Sequence, residues 1–199
     1  MFRIMTFPAV AMLIAAPLCL QAQQPTPPTR PMAQMAMAPA MMTAAPEVGT
    51  MAPDFTAQGA DSSGARSVTL HDLRGQVVVL AFYPLDRSSG CTHEMEKFRD
   101  EYSKIFGSGV TVLPISEDNV ASHVGWAHDA HFPFMLVSDN GGKIANDYGS
   151  MMPARPYASR TVFVVGKDGR IVYREMKFGA LDQHAYDALT ASVAKAKTE

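Results

Sequence analysis

Residues 47–199 predict an α/β domain in which helices flank a central mixed β-sheet, and three observations carry that prediction. Val77-Val78-Val79-Leu80-Ala81-Phe82 is a continuous apolar run of strand length, as a strand covered on both faces requires. Strand-like and helix-like patterns alternate after it, with short connections and no internal repeat. Two late apolar runs are joined through Gly166-Lys167-Asp168-Gly169, where Asp-Gly is a hairpin signal, so part of the sheet is antiparallel.

Taken in order, the Val77 to Phe82 run follows Arg74-Gly75 and belongs in the middle of the sheet. A helix is predicted from near Cys91 to Phe106, because Met95, Phe98, Tyr102, Ile105 and Phe106 recur at helical spacing and Gly107 offers a stop. Val110 to Ile115 supplies a second buried strand, followed by a helix over Asn119 to Ala130 and a short one near Lys143 to Tyr148. Thr161 to Val165 and Ile171 to Tyr173 are the strands of the hairpin, and a last helix spans Asp182 to Ala196. Strand, helix, strand, helix, hairpin, helix is the order of a thioredoxin-like fold.

Ahead of that domain the chain changes character twice. Arg3, the apolar stretch Ile4 to Leu20 and then Leu20-Gln21-Ala22 predict an export signal over residues 1–22, cleaved after Ala22, and hence a periplasmic or secreted protein. Pro8 and Pro17 interrupt a stretch that is already shorter than the roughly 20 apolar residues of a bilayer span, which argues against an anchor. Cys19 permits a lipid-attachment reading, which the bulky Leu18 directly before it disfavours. Signal removal would take Cys19 with it, leaving Cys91 as the one thiol and no stable membrane association. Residues 23–46 hold six Pro, six Ala and five Met with Arg30 the only charge, and predict a disordered, partly extended linker. Met32, Met35, Met37, Met41 and Met42 could ligate Cu(I) or absorb oxidant as sulfoxides, but incidental methionines in a low-complexity linker account for them.

Composition narrows the function. Of 199 residues 47% are hydrophobic, and 17 Lys+Arg against 19 Asp+Glu leave no basic excess for phosphate backbones or anionic lipid. Nucleic acid is excluded as a partner. Two cysteines, in neither a Cys-x-x-Cys nor a zinc-finger spacing, leave only the chemistry of single thiols.

That chemistry concentrates where the first central strand ends, in Pro84-Leu85-Asp86-Arg87-Ser88-Ser89-Gly90-Cys91. Pro84 lies seven residues before the cysteine, Ser88 three before it and Glu94 three after it. A cysteine in the first turn of a helix lies among backbone N–H groups without intrahelical acceptors and at the positive end of the helix dipole, and both favour a thiolate. An inert buried cysteine fits poorly beside Ser88, Ser89, Gly90, Thr92 and His93.

These residues resemble the peroxiredoxin family of thiol peroxidases, whose hallmark is Pro-x-x-x-Thr/Ser-x-x-Cys. The resemblance covers nearly the whole domain: Ala52-Pro53-Asp54-Phe55 is similar to the family's opening segment, and Ser159-Arg160-Thr161-Val162-Phe163-Val164-Val165 to its arginine-bearing strand. It implies that Cys91 is the peroxidatic nucleophile, that Ser88 supplies a hydroxyl, that Pro84 shields the thiolate, and that Arg160 reaches in from the distant strand, oriented by Glu94. Phe82-Tyr83-Pro84-Leu85-Asp86 and Gly90-Cys91-Thr92-His93-Glu94 are most similar to the peroxiredoxin Q, or bacterioferritin-comigratory, branch. That branch often has a resolving cysteine five residues after the first; here the position is Glu96, so a one-cysteine cycle with an external thiol or thioredoxin-like reductant is expected instead.

The implied roles make physical sense on their own. A thiolate attacks one peroxide oxygen while charge appears on the other, so the site needs a nucleophile and donors aimed at both oxygens. Lowering a thiol pKa from about 8.5 to about 6 raises the thiolate fraction at pH 7 by only about 30-fold, or about 2 kcal/mol. The larger share must come from charge stabilisation by Arg160, Ser88 and the Cys91 backbone N–H, and the product is a sulfenic acid. The sequence therefore predicts an enzyme, an exported thiol peroxidase acting on hydrogen peroxide and organic hydroperoxides without a cofactor. A thioredoxin-like disulfide carrier, which would want a second thiol near Cys91, and a non-catalytic redox sensor are the alternatives.

Other candidates have plainer readings. His123, His128 and His131 share helical spacing, but no carboxylate pattern completes a metal site; they read as a solvated helix face, and no metal is assigned. Trp126, Phe132, Phe134 and Tyr148 read as core rather than as a substrate channel. Met151 and Met152 read as surface loop, and Arg87 and Arg155 as solvated charges rather than anion-holders.

Overall fold

A computed structural model describes residues 44–199; the predicted signal, Cys19 and the methionine-rich stretch lie outside them. The elements run β1 (Thr56–Asp61), β2 (Gly64–Thr69), β3 (Val77–Phe82), α1 (Ser89–Asp100), α2 (Tyr102–Ile105), β4 (Val110–Ser116), α3 (Val120–Ala130), β5 (Leu136–Ser138), α4 (Lys143–Asp147), β6 (Thr161–Val165), β7 (Ile171–Glu175) and α5 (Gln183–Thr198). The strands form one sheet in the order β2-β1-β5-β4-β3-β6-β7. β3 pairs in parallel with β4, and β4 with β5, while the remaining pairs are antiparallel. The sheet is mixed, and the fold is thioredoxin-like.

β3 lies inside the sheet because each of its six residues can be buried, and each is. Strand alternation sends Val77, Val79 and Ala81 to a core that also holds Met95 and Phe98 of α1, Trp126 of α3 and Leu189 and Val193 of α5. Val78, Leu80 and Phe82 go to the opposite core with Ile144 and Ala145 of α4 and Tyr148. Burying a Val, Leu or Phe side chain contributes about 1.5–3 kcal/mol relative to leaving it exposed, so the strand that ends at the loop before Cys91 is also among the most firmly held.

Three differences from the sequence reading have local causes. The helix predicted from Cys91 to Phe106 is two: α1 closes at Glu101, at φ −104° and ψ 20°, and α2 is a single turn after it. Glu101 takes Lys97 Nζ and Lys104 Nζ at 2.8 and 2.7 Å, one from each side of the break. The hairpin β1–β2 is absent from the reading because Thr-Ala-Gln-Gly-Ala-Asp and Gly-Ala-Arg-Ser-Val-Thr carry little apolar alternation. It forms because β1 pairs with β5 on one side and β2 on the other, and because Asp61 accepts from the Ser63 N–H at the turn. β5, at three residues, is too short to show a period.

Elsewhere the capping chemistry fixes the ends. The Asn119 side chain accepts from the Ser122 N–H at the start of α3, and Asp182 does the same for α5 through the His184 N–H. Ala45 and Pro46, at the tail of the predicted linker, present their carbonyls to Arg174 on β7 at 3.2 Å.

Candidate active site

β3, α1 and β6 converge on one sulfur. β3 hands the chain to a loop, Tyr83 to Ser88, whose first residue stays tied to the sheet through its N–H to the Ile115 carbonyl at 3.0 Å. Ser88 is the N-cap of α1, at φ −67° and ψ 148°, and Cys91 is the third residue of that helix, in its first turn and 1% exposed. Arg160 comes from the residue just before β6, and its own carbonyl is pinned by the Phe178 N–H at 3.0 Å. Since β3 and β6 are paired antiparallel, with Phe82 opposite Thr161, the end of one strand lies beside the start of the other. That register brings residues 69 apart in sequence into contact: Arg160 Nη2 donates to Cys91 Sγ at 3.4 Å.

The other arm of the same guanidinium, Nη1, donates to Glu94 Oε2. Glu94 is fully buried one turn along α1, and burial pushes its carboxyl up to about 7, with Arg160 pulling the other way. Its second oxygen, Oε1, has no hydrogen-bond partner among the described residues. Burial works against the charge of Arg160 as well, but Glu94 and the Cys91 sulfur together hold its protonation above the ordinary range. A forked cation thus bridges a buried carboxyl group and a sulfur with two arms of one planar group.

Of the sequence candidates, then, Cys91, Glu94 and Arg160 meet. Ser88 stands at the head of the same turn, but its hydroxyl donates to the Leu85 carbonyl at 3.0 Å rather than to sulfur. Pro84 is half-buried at the base of the loop. Glu96 is half-buried on α1, with Arg99 Nη2 at 4.0 Å. Arg87 forms an ion pair with Asp129 at 2.8 Å, Arg155 is exposed, and the ring of His128 lies beside that of His131 on the exterior. Trp126, Phe132, Phe134 and Tyr148 are core residues, with Trp126 edge-on to Phe132 and Phe132 stacked on Phe134. Met151 and Met152 are half-buried in the loop before β6, Met151 packing against the core that holds Phe82. Among the described residues no three His, Cys, Asp or Glu are grouped so as to hold a metal ion, and no helix is long and apolar enough to cross a membrane.

Two features escaped the sequence reading. Gly90 lies under the arginine: a Cβ there would come within 3.3 Å of Arg160 Nη2. His123 is not on a solvated face but fully buried, its Nδ1 2.9 Å from Asp86 Oδ2. The first had a signal in the missing side chain beside the cysteine; the second had none.

Comparison with known proteins places these residues in a wider set. The sequence profile of the AhpC/TSA family matches residues 48–174. A putative peroxiredoxin bcp from Coxiella burnetii is 36% identical over 131 residues, covering 63% of this chain and 85% of that protein. The chloroplastic peroxiredoxin Q of Arabidopsis thaliana is 40% identical over 124 residues, 61% of this chain and 55% of that one, so the chain spans little more than half the length of this plant relative. Among solved structures, the peroxidoxin BcpB of Mycobacterium tuberculosis superposes with a TM-score of 0.66 at 27% identity, over 75% of this chain and 97% of that one. The Enterococcus faecalis AhpC, at a TM-score of 0.68 and 22% identity over 77% of this chain and 93% of that one, shares the fold.

Proposed function

The chain belongs to the AhpC/TSA family, the peroxiredoxins, and we propose that it is an exported thiol peroxidase that reduces hydrogen peroxide, and organic hydroperoxides besides, through a sulfenic acid on Cys91 in a one-cysteine cycle. The observation that carries this reading is Arg160 held between Glu94 and the Cys91 sulfur, 3.4 Å from the latter.

The chemistry follows from that arrangement. The Cys91 thiolate attacks one peroxide oxygen, an S–O bond forms as the O–O bond breaks, and the departing hydroxide or alkoxide takes a proton to leave as water or alcohol. Charge moves from sulfur to oxygen beside a guanidinium that Glu94 keeps from swinging away, so the donor is in place before the charge develops. The Ser88 hydroxyl spends its proton on the Leu85 carbonyl, which leaves its lone pairs to accept the O–H of an incoming peroxide. Pro84 is the shield at the base of the loop. An external thiol then condenses with the sulfenic acid, releasing water and forming a mixed disulfide, and a second thiol frees Cys91.

Support for the one-cysteine cycle is that Cys91 is the free cysteine among the described residues and that Glu96 stands where a resolving thiol would be. Support for export is the sequence of residues 1–22. Peroxide consumption by the mature protein with a small thiol as reductant tests the activity: turnover is expected in the wild type and its abolition in Cys91→Ser, and turnover retained by that variant would overturn the assignment.

A further inference from the structure

Asp86 lies in the loop between Pro84 and Ser88, yet its side chain turns inward and is 3% exposed. Its carboxylate gathers three side-chain donors: Tyr83 Oη on Oδ1 at 2.7 Å, and Ser122 Oγ and His123 Nδ1 on Oδ2 at 2.6 and 2.9 Å. The Asp86 N–H donates to Asp118 Oδ2 at 2.8 Å, and the Ser116 hydroxyl holds that same oxygen at 2.8 Å. One residue of the loop is thereby fastened to the end of β4, to the start of α3 and to Tyr83, the buried first residue of the loop. Burial opposes the charge of Asp86, but the contacts with His123, Ser122 and Tyr83 hold its carboxyl below the usual range.

Stability alone does not explain this cluster. Well-packed apolar residues in place of a buried charge are often as stable, and the histidine adds a cost of its own, since His123 Nε2 is buried without a partner among the described residues. What the cluster supplies is a fixed geometry for a loop that resists one: the next residue, Arg87, is held at φ +58°, left-handed and unfavourable for a side chain that is not glycine. Tyr83, which reports on Asp86 at one end, belongs at its other end to the buried group that includes Cys91 and Trp126.

We propose that Asp86, fastened to Ser122 and His123 in the first turn of α3, is a positioning residue that holds the loop and the first turn of α1, from Pro84 to Cys91, closed, and so sets the balance between peroxide attack, which uses the closed segment, and entry of the reducing thiol, which needs Cys91 uncovered. The second need is real, because a thiol must approach the sulfur in line and Cys91 is 1% exposed. The proposal rests on the thiol-peroxidase reading for its consequences, but the clamp itself can be observed without peroxide.

The test compares wild type with Asp86→Asn and Ser122→Ala by three measurements: amide hydrogen exchange, the second-order rate of Cys91 oxidation by hydrogen peroxide, and the rate at which 2-mercaptoethanol captures the sulfenic acid. Losing a hydrogen bond to a charged group is worth about 10-fold or more. In Asp86→Asn, exchange over residues 87–92 is expected to quicken by about 10-fold while β3 and β6 stay protected, oxidation to slow by about 10-fold, and thiol capture to quicken. Ser122→Ala, which removes one donor, shifts all three in the same directions by less, and it decides the matter should Asp86→Asn fail to fold. Exchange unchanged, exchange quickened across β3 and β6 alike, or oxidation and capture slowed together would each overturn the clamp. A wild type inert to peroxide would sink the peroxidase reading and leave the exchange data to decide the clamp alone.

Discussion

Arg160 does two things with one planar group, and the geometry separates them. Nη1 is committed to Glu94, which fixes the plane of the guanidinium; Nη2 faces the Cys91 sulfur at 3.4 Å and is the donor a departing oxygen would meet. Were the arginine only a means of keeping the sulfur ionised, its loss could cost no more than the thiolate fraction, a factor of about 30 at pH 7 for a thiol moved between about 6 and about 8.5. Removing one preorganised donor to a developing oxyanion typically costs about 100- to 1000-fold. Arg160→Ala is therefore expected to slow peroxide oxidation of Cys91 by at least about 100-fold beyond whatever lost thiolate accounts for. The fold should survive, because burial already pushes Glu94 up to about 7 with the arginine present, and without it the carboxyl takes a proton rather than remain a lone buried charge. Thiolate titration and second-order rate, measured on the same sample, check this; a rate loss wholly matched by lost thiolate would show that Arg160 does not stabilise the departing oxygen.

The element that sets this geometry is the first turn of α1, and Gly90 shows what it trades. Glycine in a helix costs about 0.5–1 kcal/mol relative to alanine, yet here a Cβ would press within 3.3 Å of an arginine end that cannot retreat without leaving Glu94. Gly90→Ala is expected to be several-fold slower with peroxide; a variant equally fast would mean that Arg160 has room to spare. How far such elements were legible depends on what marks them in sequence. β3 declares itself because burial on both faces leaves no polar position among Val77 to Phe82, and α3 because Asn119 is a capping residue ahead of an apolar period. β1 and β2 do not, since Gln58, Gly59 and Ser67 break any alternation and the hairpin is held by pairing with β5, seventy-odd residues on. Cys91 and Glu94 could be read from their spacing on one helix, whereas Arg160, 69 residues away, came only from resemblance. The Asp86 cluster had no such aid: Ser122 and His123 lie 36 and 37 residues on, and a histidine in a helix bears no mark that it will be buried against a loop.

At the scale of the whole molecule the question is which sulfur meets the sulfenic acid. The described residues offer Cys91 alone, and Cys19 falls in the stretch proposed to be removed on export. In the domain the position that could have carried a second thiol on α1 holds Glu96, half-buried with Arg99 Nη2 at 4.0 Å, and the proposed one-cysteine cycle would leave the sulfenic acid to a thiol from outside the chain or to a second peroxide. Its burial cuts both ways: a sulfur 1% exposed is screened from bulky reductants while a molecule the size of hydrogen peroxide needs little room, so scarcity of reductant favours overoxidation. Intact-mass analysis of the mature protein after one equivalent of peroxide is expected to show one added oxygen, then a single adduct once a small thiol is supplied, and two or three oxygens when peroxide is in excess and thiol is withheld. Loss of two hydrogens within one chain would mean that Cys19 is retained and resolves Cys91, and a disulfide-linked dimer formed quantitatively without added thiol would mean that two Cys91 residues resolve each other. Either result would replace the one-cysteine cycle with a two-thiol one, and in the first case the signal would have to be read as part of the working protein.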